Sequence, residues 1–77
     1  MKVFNLISTF AMYEKEESGI KPNTIRELSP LREAMLLRST HVCIRKGYTD
    51  KSFLRKITDK TKWDGIWIIS WNPNEAI

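Results

Sequence analysis

The amino-acid sequence predicts a single α+β domain in which short β-strands alternate with two short helices. Several stretches alternate apolar and polar residues, which is the pattern of half-buried strands. Two other stretches begin with helix-capping residues and then place apolar side chains three and four positions apart. The chain has 77 residues. Because this is too few for two domains of ordinary size, we assign residues 1–77 to one domain.

The first stretch fits two structures. Apolar residues at positions 3, 6, 7 and 10 have helical spacing and predict a helix that runs to about Ser18. Alternatively, residues 3–7 form a short strand, and Ser8 or Thr9 caps a helix that ends at Ser18. In both cases Gly19 follows the helix, and glycine suits the left-handed conformation that is common at this position.

The turn and strand after this helix carry the residues that we expect to be functional. Thr24 and Arg26 share one face if residues 24–28 form a strand, and Lys21 reaches the same area from the turn. Arginine offers a planar fork of donors, lysine a mobile charge and threonine both a donor and an acceptor. Such a trio suits an anion or the polar edge of a nucleobase. The spacing also fits an amphipathic strand with solvated charges. Because Arg26 need not fill the core, we expect Arg26→Ala to impair function more than it impairs folding.

Residues 19–26 follow the pattern G-x-K-x-x-T-x-R. This pattern after a short helix resembles the signature of the ASCH domains, a branch of the PUA-like superfamily of small β-barrels associated with RNA. It is most similar to the small N4-acetylcytidine amidohydrolases of that group. The resemblance implies a PUA-like partial β-barrel with two short helices, so we take residues 3–7 as a strand. It also implies that Lys21, Thr24 and Arg26 bind RNA or a modified nucleoside.

In those amidohydrolases the motif lysine and threonine act together with a later glutamate. If this chain is an enzyme, the resemblance makes Lys21 and Thr24 catalytic. Two later glutamates of this chain are poor equivalents, because Glu27 points away from Thr24 on the predicted strand and Glu75 follows Pro73 near the C-terminus. We therefore expect no robust turnover of acetylated cytidine.

A second helix is predicted after the motif. Ser29 can cap it and Pro30 is tolerated at the first helical position, so the helix extends from there to about residue 37. Leu31, Ala34 and Met35 are three and four positions apart on this helix. We expect these three side chains to face the core.

Three strands are predicted in the second half of the chain. Residues 40–46 and 53–58 alternate between two faces and are separated by turn residues, which predicts a hairpin. A further turn precedes residues 66–71, the longest nearly apolar run, which we expect to be the most buried strand. Trp67 and Trp71 share a face of that strand, and we assign both to the core.

Basic residues are concentrated in one part of the chain. The net charge is +4, but residues 38–62 contain eight Lys or Arg against two Asp, a local charge of +6. Such a segment attracts nucleic-acid phosphates, although lysines at strand edges also serve simply to prevent aggregation. The predicted phosphate contacts are Arg45, Lys46, Lys51, Arg55, Lys56, Lys60 and Lys62. Tyr48 in the hairpin turn and Trp63 in the polar loop of residues 60–64 are candidate stacking residues.

Several other classes are excluded by composition and spacing. Cys43 is the only cysteine, so an intramolecular disulfide and a cysteine-based zinc site are excluded. His41 lies on the same strand face as Cys43, and parallel side chains do not form a nucleophile pair. The longest apolar run is far short of the roughly 20 residues that span a bilayer, and a signal-peptide pattern is missing. We expect a cytoplasmic protein that uses no metal, cofactor or membrane.

Three functions are compatible with these patterns. The first is a small nucleic-acid- or nucleotide-binding module with an ASCH-like cleft. The second is an amidohydrolase that acts on N4-acetylcytidine. The third is an inhibitor encoded by a mobile element such as a phage, which would use the basic surface to bind an acidic protein partner. A homodimer is compatible with each of them, since it would cover open strand edges.

Overall fold

The computed structural model describes residues 1–75, and within them the chain forms five strands and two helices. These are β1 (Val3–Ser8), α1 (Phe10–Glu17), β2 (Asn23–Arg26), α2 (Pro30–Arg38), β3 (His41–Lys46), β4 (Ser52–Trp63) and β5 (Ile66–Trp71). The strands form one sheet in the order β1-β3-β4-β5-β2, which curls into a half-barrel. The predicted α+β partial barrel with two short helices is therefore confirmed. In the described part of the chain, neither helix is long and apolar enough to cross a membrane.

The first element is a strand followed by a helix, which is the second of the two structures that the sequence allows. Thr9 is extended and its hydroxyl accepts a hydrogen bond from the backbone N–H of Met12 at 3.3 Å, so α1 begins at the next residue. Gly19 follows α1 with φ at 88°, and a Cβ added there would lie 2.9 Å from Cβ of Pro73. Both the backbone conformation and the packing therefore require glycine at this position.

Strands β1 and β2 are the two edges of the sheet. β1 pairs with β3 in parallel, and the three remaining strand pairs are antiparallel. The curl brings the edges together, because Arg26 in β2 donates from Nη1 to the carbonyl oxygen of Ile7 in β1 at 2.8 Å. We call the gap between β1 and β2 the seam.

The core lies on the concave face of the sheet. Its buried apolar residues are Phe4, Leu6, Tyr13, Leu36, Val42, Ile44, Phe53, Trp67, Ile69 and Trp71. They come from alternate positions of the strands, with one residue from each helix, so the period of two in the sequence identifies most of them. The prediction that Trp67 and Trp71 belong to the core is confirmed. The ring of Phe53 joins strand to helix, since it packs against Tyr13 and meets Trp71 edge-on.

Helix α2 occurs where it is predicted but packs with a different face. The residues predicted to face the core are Leu31, Ala34 and Met35. None of the three is buried, so this prediction is wrong, and the buried residue of α2 is Leu36. The physical reason is a polar contact that apolar spacing does not reveal. Glu33 accepts a hydrogen bond from Nε1 of Trp67 at 2.8 Å, which turns the side of α2 that carries Glu33 and Leu36 toward the sheet.

Strand β4 is longer than predicted and β2 is shorter. β4 continues through Trp63, so the predicted polar loop of residues 60–64 is largely strand, and β2 ends at Arg26. The pairing of β4 with β5 is irregular between Ile57 and Asp59, a β-bulge that bends the strand. Residues 58–62 are all polar, so they show no apolar alternation. Their extended form follows from pairing with the buried strand β5.

Candidate functional site

A cleft of about 230 Å³ opens at the seam, and we call it the seam cleft. It is lined by Ile7, Ser8, Thr9, Met12, Glu16, Lys21, Thr24, Ile25 and Arg26. These residues belong to the end of β1, to α1, to the turn after α1 and to β2. The chain order explains why they meet, because β1 leads directly into α1 and α1 returns the chain to the opposite edge of the sheet.

The polar residues of the seam cleft form one connected chain of contacts. Ser8 Oγ donates to Glu16 Oε1 at 2.6 Å and accepts a hydrogen bond from Arg26 Nη2 at 2.7 Å. Arg26 Nε also donates to Thr24 Oγ1 at 2.9 Å. At the other end of this series of contacts, Lys21 Nζ lies 3.6 Å from Glu16 Oε2. The position of each side chain therefore depends on its neighbours.

Burial and charge in the seam cleft are closely linked. Glu16 is only 1% exposed and Thr24 only 2%, so these two residues form the floor. A buried carboxylate without partners is strongly unfavourable, and here Glu16 is stabilised by the Ser8 hydroxyl and by the charges of Lys21 and Arg26. Burial lowers the pKa of Arg26, while the Glu16 carboxylate opposes this shift. With Lys21 and Arg26 against Glu16, the cleft carries one net positive charge.

Hydrogen-bonding capacity remains for a ligand. The Thr24 hydroxyl oxygen accepts from Arg26, and among residues 1–75 its hydrogen has no acceptor. The Lys21 ammonium donates to the carbonyl oxygen of Asn23 at 2.9 Å and has two further N–H donors. The apolar residues of the wall are Ile7, Met12 and Ile25. Since an apolar protein cavity of about 150 Å³ holds benzene, the seam cleft has room for a single small ring.

The structure brings all three motif residues to the same cleft. Lys21, Thr24 and Arg26 each contribute a polar atom to the contacts described above. Arg26 is more than a solvated surface charge, however. Its guanidinium is half-buried and donates to Thr24, to Ser8 and to the carbonyl oxygen of Ile7. Arg26 therefore connects the two edges of the sheet as well as lining the cleft.

Sequence reasoning missed Glu16 and Ser8. The three glutamates of α1 suggest a solvated face or ion pairs with the basic segment, and Glu14 does pair with Lys46. Glu16 is different because it lies three positions after Tyr13, which is buried, and so shares the inner face of α1. A charged residue at that spacing from a buried aromatic residue is the signal that could have identified it.

The predicted phosphate contacts do not form one continuous surface. Lys60 and Lys62 lie opposite buried residues of β5 and therefore point to the concave side of the sheet. Arg45 and Lys56 point to the outer face, where they lie opposite residues of the neighbouring strand. The sheet separates these two groups, so one ligand strand cannot follow all of them along a single face.

Several of these basic side chains are also engaged within the fold. Lys60 donates to the carbonyl oxygen of Ser39 at 2.6 Å, and Lys62 pairs with Glu33 at 2.8 Å. Lys46 pairs with Glu14, and the Arg55 guanidinium lies 4.9 Å from the ring centroid of Phe53. Within residues 1–75, Arg45, Lys51 and Lys56 have no ion pair and are exposed. These three are the basic residues most available to a phosphate.

The two candidate stacking residues are exposed but do not line the seam cleft. Tyr48 is 91% exposed between β3 and β4, and Trp63 is 70% exposed at the end of β4 rather than in a loop. Both rings are free to contact a base. Neither adjoins the motif residues, so a stacking role would concern a second part of a long ligand.

Comparison with known proteins returns nothing that identifies the chain: no protein-family model matches it, and no curated protein matches it significantly. In the part of the chain that the structure describes, no group of three or more His, Cys, Asp or Glu side chains could hold a metal ion. The function must therefore be inferred from the geometry of the seam cleft.

Proposed function

We propose that this protein is a small nucleic-acid- or nucleotide-binding module that holds a single base or modified nucleoside in the seam cleft. The observation that supports this proposal is the convergence of Glu16, Lys21, Thr24 and Arg26 on one cleft of about 230 Å³. Cations attract the phosphates of the ligand, and fixed donors and acceptors recognise the edge of its base.

The chemistry of the floor matches the edge of a nucleobase. A ring carbonyl can accept from the Thr24 hydroxyl and the Lys21 ammonium, while an exocyclic amine can donate to Glu16. The apolar wall then contacts the faces of the ring. Because these polar groups are largely buried, a ligand that lacks a matching partner leaves them unpaired, which costs about 1–3 kcal/mol for each group. Such a site discriminates between bases by their hydrogen-bonding edges.

The resemblance to ASCH domains agrees with this proposal. Three of the four fixed residues of the G-x-K-x-x-T-x-R pattern, Lys21, Thr24 and Arg26, line the cleft, and the α+β half-barrel is of the class that the resemblance implies. We therefore extend the resemblance to the ligand and propose RNA or a modified nucleoside.

The test is a titration of the protein with the four ribonucleosides, N4-acetylcytidine and a short single-stranded RNA. Chemical-shift changes in an NMR spectrum should appear at Thr24 and Lys21. Thr24→Val removes one donor and Lys21→Gln removes one charge, so each should weaken binding by about tenfold or more.

The matched controls are Thr58→Val and Lys15→Gln, because both residues are exposed and lie outside the seam cleft. They should leave affinity unchanged. If no nucleoside and no RNA perturbs the cleft residues, the proposal is wrong. Stoichiometric capture of a protein in the absence of any nucleic-acid affinity would instead favour the inhibitor.

A second candidate function is hydrolysis of N4-acetylcytidine, and Glu16 is the observation that favours it. The sequence lacks a clear equivalent of the later glutamate, but a carboxylate from the preceding helix lies beside Lys21. In this reaction Glu16 accepts a proton from water as the water oxygen attacks the amide carbon, and the Lys21 ammonium stabilises the oxyanion. The C–N bond then breaks, the proton passes to the departing amine, and cytidine and acetate are released.

Release of acetate, followed by NMR, distinguishes the two candidates. Glu16→Gln retains the size of the side chain and removes the base, so an enzyme should lose turnover while it still binds the nucleoside. A binding module should release no acetate above the rate in buffer. Turnover that persists in Glu16→Gln would exclude Glu16 as the general base.

A further inference from the structure

A second cavity, distinct from the seam cleft, is a groove of about 340 Å³ beside β1. It is lined by Asn5, Leu6, Ile7, Arg32, Cys43, Arg45 and Ser52. Its polar side chains include two guanidinium groups, an amide and a hydroxyl, and no carboxylate lines it. An assembly of donors without an acid nearby is suited to an anion.

Two contacts within the fold position the Arg32 guanidinium at this groove. Its guanidinium carbon lies 4.3 Å from the ring centroid of Phe4, and Nη2 donates to the carbonyl oxygen of Asn5 at 2.5 Å. The cation–π contact and one hydrogen bond hold the guanidinium, yet they use only one of its five N–H donors. Among residues 1–75, no acidic side chain lies within ion-pair distance of Arg32.

Arg45 completes the groove from the neighbouring strand. It lies opposite Ser52 in the pairing of β3 with β4, so both side chains point to the same face. Arg45 is exposed, and within the described residues its guanidinium makes no hydrogen bond or ion pair. Its full donor set is therefore available to a ligand, and its removal should not disturb the fold.

The groove and the seam cleft are adjacent, and Ile7 lines both. Arg26 donates to the carbonyl oxygen of Ile7 and Arg32 to that of Asn5, on the same edge of β1. Residues two positions apart in a strand are separated by about 6.6 Å. The guanidinium groups of Arg26 and Arg32 are therefore neighbours of like charge. The charge of Arg32 accordingly contributes to the lowered pKa of Arg26, after the larger effect of burial. An anion placed between or beside them would relieve this repulsion.

We propose that this groove binds a phosphate group of the same ligand whose base occupies the seam cleft. This inference rests on the proposed function and deepens it, because it makes the ligand a nucleotide or a nucleic-acid strand rather than a free nucleoside. The phosphate is bound by Arg32 and Arg45, with Asn5 and Ser52 as additional donors.

The experiment compares each ribonucleoside with its 5′-monophosphate and with a short single-stranded RNA, by calorimetric titration of the intact protein. For the wild type, the monophosphate should bind at least tenfold more tightly than the nucleoside. Arg45→Gln should reduce this ratio to about threefold or less and leave nucleoside affinity unchanged. Arg38→Gln is the matched control, since Arg38 is an exposed arginine outside both cavities and should retain the full ratio.

The RNA identifies the source of the phosphate. The phosphate belongs to the RNA backbone if the RNA binds more tightly than the monophosphate and if its dependence on salt weakens in Arg45→Gln. The log–log slope of affinity against salt concentration should then become shallower by about 0.7. Equal affinity for strand and monophosphate supports a free nucleotide. Arg32→Gln should have the same effect as Arg45→Gln on the ratio, and a thermal melt shows whether that more interior variant is folded.

Three results would overturn the inference, and only the third would also overturn the proposed function. If nucleosides perturb Thr24 and the phosphate adds no affinity, or if Arg45→Gln weakens nucleoside and nucleotide equally, the groove is not a phosphate site and the proposed function stands. If neither nucleoside nor nucleotide perturbs the seam cleft, the proposed function fails and this inference fails with it.

Discussion

Arg26 has two tasks, because its guanidinium lines the seam cleft and also connects the edge strands of the sheet. Three of its N–H donors bind groups of the seam, and two of the acceptors, Ser8 and the carbonyl oxygen of Ile7, belong to β1. The edge strands β1 and β2 do not pair through their backbones, so the hydrogen bonds of the Arg26 side chain replace part of that missing backbone pairing. A site residue of this kind affects stability as well as binding.

We expect Arg26→Ala to lower the free energy of unfolding by about 2 kcal/mol, since hydrogen bonds from a charged donor to partly buried acceptors are lost. For a domain of this size the Tm should fall by roughly 10 °C. The Tm of Arg26→Lys should lie between those of the wild type and Arg26→Ala, because an ammonium reaches the seam but lacks the planar fork of donors. Differential scanning calorimetry measures all three proteins.

The control for this prediction is Arg38→Ala, which removes an exposed arginine from the end of α2 and should change stability by no more than about 0.5 kcal/mol. An Arg26→Ala variant that melts with the wild type would show that the seam contacts contribute nothing to folding.

At the scale of the element, helix α2 is attached to the sheet mainly by polar contacts. Leu36 is its only fully buried apolar residue in the described structure, and the backbone at its C-terminal end accepts from Lys60. Glu33 joins the helix to two strands, since it accepts from Trp67 Nε1 and from Lys62 Nζ, each at 2.8 Å. A helix attached in this way should respond to pH.

The Lys62 ammonium and the Trp67 indole hold the pKa of Glu33 below its ordinary value. A carboxyl whose pKa is lower in the folded state stabilises the fold fully above the pKa of the unfolded chain, about 4.3. Its contribution is lost as the pH falls from there through the folded-state value. We therefore expect the wild type to melt above Glu33→Gln at pH 7 and the two melting temperatures to converge toward pH 3.

Glu27→Gln serves as the comparison, because Glu27 is exposed and makes no ion pair among residues 1–75. Its melting temperature should follow that of the wild type at every pH. If the difference in melting temperature between the wild type and Glu33→Gln stays constant from pH 7 to pH 3, the role assigned to the Glu33 charge is contradicted.

At the scale of the whole molecule, the distribution of charge matters more than the net value of +4. The curl of the sheet directs Lys60 and Lys62 to the concave side, where α2 engages them, and leaves Arg45 and Lys56 on the outer face. Lys51, between β3 and β4, is also exposed and without an ion pair in the described residues. The outer face and this turn therefore form the basic surface that a polyanion meets first.

We expect affinity for single-stranded RNA to fall steeply as salt concentration rises, because phosphate binding releases counterions. The double variant Lys51→Gln/Lys56→Gln should make the log–log slope shallower by about 1.4, at about 0.7 for each lost phosphate contact. Fluorescence anisotropy across a salt series measures this slope.

Lys60→Gln/Lys62→Gln removes the same charge from the concave side and should act mainly on stability. If it changes the slope as much as the first double variant does, the ligand follows the concave side instead of the outer face.

The elements and much of the core could be predicted from the sequence without the structure. Thr9 and Ser29 mark helix starts, the apolar alternation around Val42 identifies a strand, and Gly19 marks the turn. These features depend on residues that are neighbours along the chain, so local rules predict them. The same is true of Lys21, Thr24 and Arg26, which lie within six positions and meet in one cleft.

The partners that complete the cleft, in contrast, depend on the tertiary structure. Ser8 and Arg26 are 18 positions apart and meet because the sheet curls until its edges face each other. Glu16 becomes a site residue because α1 packs its inner face against the seam. Its spacing from Tyr13 indicates that face, but only the curl of the sheet brings that face to the seam. The face of α2 and the length of β4 were predicted wrongly for the same reason. Each is set by long-range pairing, and the free energy of that pairing is not encoded in any short stretch of residues.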